Sequence, residues 1–203
     1  MESPNTVSAP LAIFDMDGTL TRPYLDFDLI RADIGLSTGP ILEQIDAMPP
    51  GPAKDRALDI LHRHEDAAAE ASELQPFALD VLAAIRRAGR PIALMTRNTR
   101  KSTRIVCDKH GLAFDLVRTR EDGPTKPSPE PIFDICRALR ARADEACMIG
   151  DFHFDIACGN AAGSTTVLLW ERGVALPNWA DEADHVIEDL RELLGILGIA
   201  GSA

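Results

Sequence analysis

Leu11-Ala12-Ile13-Phe14-Asp15-Met16-Asp17-Gly18-Thr19-Leu20-Thr21 is the stretch around which the chain is organised. Leu11 to Phe14 form an unbroken apolar run, the pattern of a short strand buried on both faces, as strands of a parallel sheet are. Asp15 and Asp17 come next, where that strand must end. In open α/β sheets the chemistry collects beyond the carboxyl ends of the strands, so these acids are expected in a crevice rather than in the core. Gly18 permits a tight turn immediately after them. The competing reading of Asp-x-Asp-Gly, a polar turn with no chemistry, is weighed against what the rest of the chain supplies.

Downstream, residues 22–75 differ in composition from residues 76–203. Pro23, Gly35, Gly39, Pro40, Pro49, Pro50 and Pro52 divide them into pieces. Helical spacing is present over 25–34, 41–48 and 53–74, and no strand pattern is found. A crossover between parallel strands needs only a dozen or so residues, so an all-helical insert of this size is expected to form a separate lobe. From Pro76 onward helix and strand alternate. Helices are expected over 77–88, 99–110, 129–141 and 155–162, strands over 91–95, 113–117, 146–150 and 165–170, and a last short strand and helix over 184–197. Such alternation predicts a parallel sheet with right-handed crossovers.

Polar residues stand at the carboxyl ends of successive strands. After Asp15 and Asp17 come Thr96, then Lys126 in the loop 118–128, then Asp151 and Asp155. Strand ends in a parallel sheet share one edge, so these groups are expected to converge. Each has an ordinary alternative. Thr96 and Asp151 would serve as helix caps, and Lys126 as a solvated charge. Two carboxylates four residues apart across a strand-to-helix junction also suit one hard cation, Mg²⁺.

The composition bounds the partners. The chain has 203 residues, enough for one domain with an insertion or for two small ones. Its formal net charge of −11 disfavours nucleic acid and anionic membranes as partners. Cys107, Cys136, Cys147 and Cys158 have no close-pair spacing and read as reduced core thiols. Residues 1–10 lack the basic and apolar segments of a signal peptide, and no run reaches the length of a membrane span, so a cytoplasmic location is expected.

Phe14 to Thr21 resemble the first motif, hhhDxDGT, of the haloacid-dehalogenase-like (HAD) hydrolase superfamily. Ala93 to Thr96 resemble its second motif, Lys126 within Thr125 to Pro129 its third, and Gly150-Asp151 with Asp155 its fourth. The resemblance implies a Rossmann-like α/β core over 1–21 and 76–203, with a small helical cap of the C1 type over 22–75. It also implies a Mg²⁺-dependent phosphatase of a small phosphorylated metabolite, similar to phosphoglycolate phosphatases. Asp15 would be the nucleophile that forms an aspartyl-phosphate, and Asp17 the general acid and base. Mg²⁺ would be held by Asp15, the Asp17 carbonyl, Asp151 and Asp155. Thr96, Lys126, Gly18 and the adjacent Arg97 would bind the phosphoryl group or substrate. Asp17 favours phosphate chemistry, because the dehalogenases of the superfamily lack this second acid. Arg22, Tyr24 and Arg31 are candidates for the leaving group, and His153 for the pocket wall. The insert is shorter than the four-helix caps of many relatives, which leaves room for a larger substrate. A phosphomutase of the β-phosphoglucomutase type and a non-catalytic phosphate-binding protein are the alternatives. The chain would act as a monomer or homodimer.

Overall fold

The computed structural model describes residues 11–200. Six strands form one wholly parallel sheet: β1 (Leu11–Phe14), β2 (Ile92–Met95), β3 (Leu116–Arg118), β4 (Ala146–Gly150), β5 (Thr165–Leu169) and β6 (His185–Ile187), in the order β3-β2-β1-β4-β5-β6. The chain builds outward from β1 on one side through β2 and β3, then returns to its other side through β4, β5 and β6. Between β1 and β4 the direction of winding reverses, and such a switch point opens a crevice at the carboxyl edge.

Alternate residues along each strand face opposite layers, as a period of two requires. Ala12, Phe14, Ile92, Leu94, Cys147 and Ile149 pack with α4 (Ala78–Arg87), with α5 (Arg100–His110) and with α8 (Glu192–Ile196). Leu11, Ile13, Ala93, Met95, Ala146 and Met148 pack against α6 (Glu130–Leu139) and α7 (His153–Ala162). Both faces are covered, which explains why β1, β2 and β4 are apolar without alternation.

The insert carries α1 (Phe27–Ile34), α2 (Ile41–Asp46) and α3 (Pro52–Ala71). It has an apolar cluster of its own, built on Ile30, Ile41, Ile45, Ala57 and Leu61. Its two ends are tied together: Arg22 N–H donates to Glu73 O at 2.8 Å, and Gln75 N–H to Leu20 O at 2.9 Å. The far end of α3 joins the main core through Ala69, so this helix runs between the two apolar clusters.

Several boundaries differ from the pattern-based expectation. The strand expected over 113–117 pairs only from Leu116, because Asp115 accepts the Ile92 N–H on its side chain at 2.8 Å and takes the place of a ladder residue. α1 starts at Phe27, with the Asp26 carboxylate accepting from Leu29 N–H at 2.9 Å. α3 ends at Ala71, where the Ser72 hydroxyl turns back to Ala69 O at 2.8 Å. All four cysteines are free. Among the described residues, no helix is long and apolar enough to cross a membrane.

Candidate active site

Asp15 is the first residue beyond β1, and its N–H continues the ladder to Ile149 O of β4 at 2.9 Å. That bond places Asp15 beside Asp151, the residue directly after β4. Gly18, at φ +84°, turns the chain so closely past Asp151 that a Cβ there would lie 2.0 Å from Asp151 Oδ2. Only glycine fits both the backbone and the space. Thr19 Oγ1 donates to Asp151 Oδ1 at 2.9 Å, and Gln75 Nε2 to Gly18 O at 3.0 Å.

Lys126 enters from the loop after β3, through a cis bond to Pro127, and is buried. Its Nζ lies 2.5 Å from Asp15 Oδ1 and 2.6 Å from Asp155 Oδ1. Asp155 is held from the other side by the Phe152 N–H at 3.1 Å. Gly150 is needed here, since a Cβ on it would meet the Asp155 side chain at 2.2 Å. One oxygen from each of Asp15, Asp151 and Asp155 lies within 4.8 Å of the others. Three carboxylates thus share a single ammonium.

The electrostatics reflect this crowding. Burial and the charges of Asp15 and Asp155 push Asp151 well above the usual carboxylate range, against the Thr19 hydrogen bond. Burial raises Asp155 to about 6, with Lys126 opposing. Lys126 itself is pulled down by burial but raised further by the Asp15 and Asp155 carboxylates, so it stays charged. Hard, crowded oxygen donors with a shortage of positive charge fit a small divalent cation such as Mg²⁺.

Asp17 stands apart from this cluster. Its Oδ2 accepts from Asn98 Nδ2 at 2.5 Å, and burial together with Asp15 raises it to about 6. Thr96 is buried at the same edge, with Oγ1 accepting from Asn98 N–H at 3.1 Å. It does not cap α5, since Thr99 does so through Ser102 N–H at 3.0 Å. Asp151 likewise does not cap α7, whose first free N–H is taken by Asp155.

Above these groups lies a cavity of about 510 Å³ lined by Asp15, Asp17, Thr96, Lys126, Asp151 and Asp155 on one side and by α1, α2 and α3 residues on the other. Arg97 and Arg31 line it too. Gly18, Arg22, Tyr24 and His153 do not. Arg22 pairs at the surface with Glu73 at 3.8 Å, and His153 with Glu182 at 3.1 Å. Residues that sequence reasoning passed over also belong here. Asn98 and Thr19 sat next to motif positions and were findable. Glu65 of α3, buried and paired with Arg120 at 2.5 Å, gave no signal in an Ala- and Glu-rich helix, and nor did Glu43, which pairs with Arg97 at 2.6 Å.

A parallel α/β sheet with acids and a buried lysine gathered at its switch point defines a hydrolase of the HAD class. The family model for haloacid dehalogenase-like hydrolases matches residues 28–169, and the chain belongs to that family. It is 32% identical to the uncharacterized hydrolase YOR131C of Saccharomyces cerevisiae over 91% of this chain and 89% of that one. It is 28% identical to the pyrophosphatase PpaX of Bacillus mycoides over 91% and 95%. Its fold superposes on the crystal structure of a predicted phosphoglycolate phosphatase from Haemophilus somnus with a TM-score of 0.71, at 19% identity, covering 93% and 98%.

Proposed function

We propose that this hydrolase is a Mg²⁺-dependent phosphatase that cleaves the phosphate monoester of a small metabolite through a phosphorylated Asp15. The observation that carries the reading is the buried Lys126 bridging Asp15 and Asp155 while Asp17 stands 2.5 Å from Asn98, outside the carboxylate cluster. Two acids close in sequence therefore have different surroundings, and groups pushed into different roles by their surroundings are the mark of acid and base assignments.

In this reading Asp15 attacks phosphorus and displaces the alcohol oxygen. Asp17, raised to about 6 by burial and Asp15, is suited to protonating that oxygen near neutral pH. The resulting carboxylate then takes a proton from the water that attacks the phosphorylated Asp15, which frees phosphate and restores both acids. Lys126 and the Thr96 hydroxyl hold the transferring group in line. Asp15, the Asp17 carbonyl, Asp151 and Asp155 would hold Mg²⁺, which when bound supplies charge stabilisation for the phosphoryl oxygens. Residues 22–75 act as the cap that covers the crevice and excludes water.

Release of inorganic phosphate tests the proposal. A panel of sugar phosphates, phosphoglycolate, acetyl phosphate and inorganic pyrophosphate, the last included because the PpaX relatives are named pyrophosphatases, is assayed with and without Mg²⁺. Metal-dependent release lost in Asp15→Asn is expected. Release that persists in that variant would overturn the proposed nucleophile.

A further inference from the structure

Two side chains of opposite charge line the cavity, and each has one hydrogen-bonding position left open. Arg97 follows Thr96 at the sheet edge, and its Nη2 donates to Glu43 Oε1 at 2.6 Å. The guanidinium lies 4.6 Å from the centre of the Phe154 ring, a cation held against an aromatic face. Its Nη1 is buried and has no hydrogen-bond partner among the described residues. Glu65 comes from α3, and its Oε1 accepts from Arg120 Nη1 at 2.5 Å. Its Oε2 is likewise buried and without a partner among the described residues. The ion pairs of Arg97 and Glu65 run to Glu43 and Arg120, not to each other.

Their placement is shared. Arg120 Nη1 also donates to Arg97 O at 3.1 Å, so one guanidinium positions the Glu65 carboxylate and the Arg97 backbone together. Burial and Asp15 raise Asp17, and the Glu65 charge adds to them, so Glu65 stands toward the side of the cavity where the ester oxygen would depart. A buried polar group left without a partner is costly. Arg97 Nη1 wants an acceptor and Glu65 Oε2 a donor. A carboxylate supplies only the first and an ammonium only the second, whereas a hydroxyl supplies both. Glu43 and Arg120 already balance the two charges, so a neutral group completes both sites without adding charge to a buried wall.

We propose that the leaving group is a neutral polyol whose hydroxyls donate to Glu65 Oε2 and accept from Arg97 Nη1, which makes these two residues the specificity determinants of the cavity. The substrate class is then the phosphate monoesters of polyols and sugars. This rests on the phosphatase reading above and narrows it.

The test compares kcat/KM for glycerol 3-phosphate and propyl phosphate, which share a carbon chain and differ in two hydroxyls, with O-phosphoserine as a charged competitor and acetyl phosphate as a minimal substrate. The wild type is expected to favour glycerol 3-phosphate over propyl phosphate by about tenfold or more, the scale on which a buried charged group left unpaired is felt. Arg97→Met removes the donor and leaves only the exposed Glu43 without its partner. Glu65→Gln keeps a carbonyl for Arg120 and turns a nitrogen toward the cavity in place of Oε2. Each substitution is expected to lower the ratio by about fivefold or more. A merely structural defect weakens both esters together and leaves the ratio where it was. A wild-type ratio near one, a ratio that either substitution leaves unchanged, or O-phosphoserine preferred to glycerol 3-phosphate would overturn the inference while leaving the phosphatase reading intact. No turnover of acetyl phosphate or of any ester would bring down the phosphatase reading and this inference with it.

Discussion

Replacing Lys126 with Met removes the one ammonium that lies 2.5 Å from Asp15 and 2.6 Å from Asp155, and leaves most of the side-chain volume in place. Repacking alone costs less than about 1.5 kcal/mol for a swap of this kind, so electrostatics decides the outcome. Lys126 is 3% exposed and Asp155 1%, too buried for water to take over the lost partner. Breaking a buried pair by deleting one member destabilises by about 3–5 kcal/mol, a large part of the roughly 5–15 kcal/mol that holds a domain folded. Equilibrium urea unfolding of wild type and variant, both in a chelator, measures the difference. The loss has a signature in pH. Asp155 already sits at about 6 in the folded protein through burial, and without Lys126 it goes higher. The folded variant then holds more protons than the unfolded chain, so its stability falls as pH rises and the deficit shrinks on acidification. Mg²⁺ is expected to restore part of it near neutral pH. A deficit under about 1 kcal/mol near neutrality, or one that grows as the pH is lowered, would refute the reasoning.

Gly18→Ala places a Cβ 2.0 Å from Asp151 Oδ2 at a φ of +84°, so a stability loss of at least about 1–2 kcal/mol is expected in thermal unfolding, with a larger proportional loss of phosphatase activity because Asp151 must move. Asp17→Asn is expected to lower kcat by about 10²–10⁴-fold in phosphate-release assays, while the melting temperature stays close to wild type, since the new amide still offers Asn98 an acceptor. Burial and neighbouring charge raise Asp151, and burial raises Asp155 to about 6, so protons compete with metal there. The rise in melting temperature given by Mg²⁺ near pH 7.5 is therefore expected to fall by half or more near pH 5 in differential scanning calorimetry. Without metal, the same raised carboxylate makes the folded protein bind more protons, and stability is expected to decline as pH rises from the unfolded value of 3.8 through about 6.

How legible each part was in the sequence depends on what holds that part in place. β1 and β4 were legible because burial on both faces demands unbroken apolar runs, and the acids after them because strand ends in a parallel sheet share one edge. The start of β3 was not, since an Asp115 side chain replaces a backbone partner and composition does not record that choice. Asn98 and Thr19 lay beside recognisable positions, yet which side chain each would hold depends on the turn at Gly18 and the pairing of β1 with β4. Glu65 and Arg120, fifty-five residues apart, meet only because α3 crosses from the insert toward the sheet. No local pattern marks such a pair. The far side of the cavity was hidden for a similar reason: Phe27 and Leu61 of the insert and Phe154 beside Asp155 come from three separate segments, and no local pattern brings them together.

The most direct test of the phosphorylated Asp15 is chemical trapping. The enzyme is quenched during steady-state turnover of a phosphate ester with Mg²⁺, treated with borohydride, which reduces an acyl phosphate to the alcohol, and analysed by peptide mass spectrometry. Conversion of Asp15 to homoserine, dependent on substrate and on metal, is the predicted result. Turnover with an unmodified Asp15, or with the modification on Asp17, Asp151 or Asp155 instead, would contradict the account.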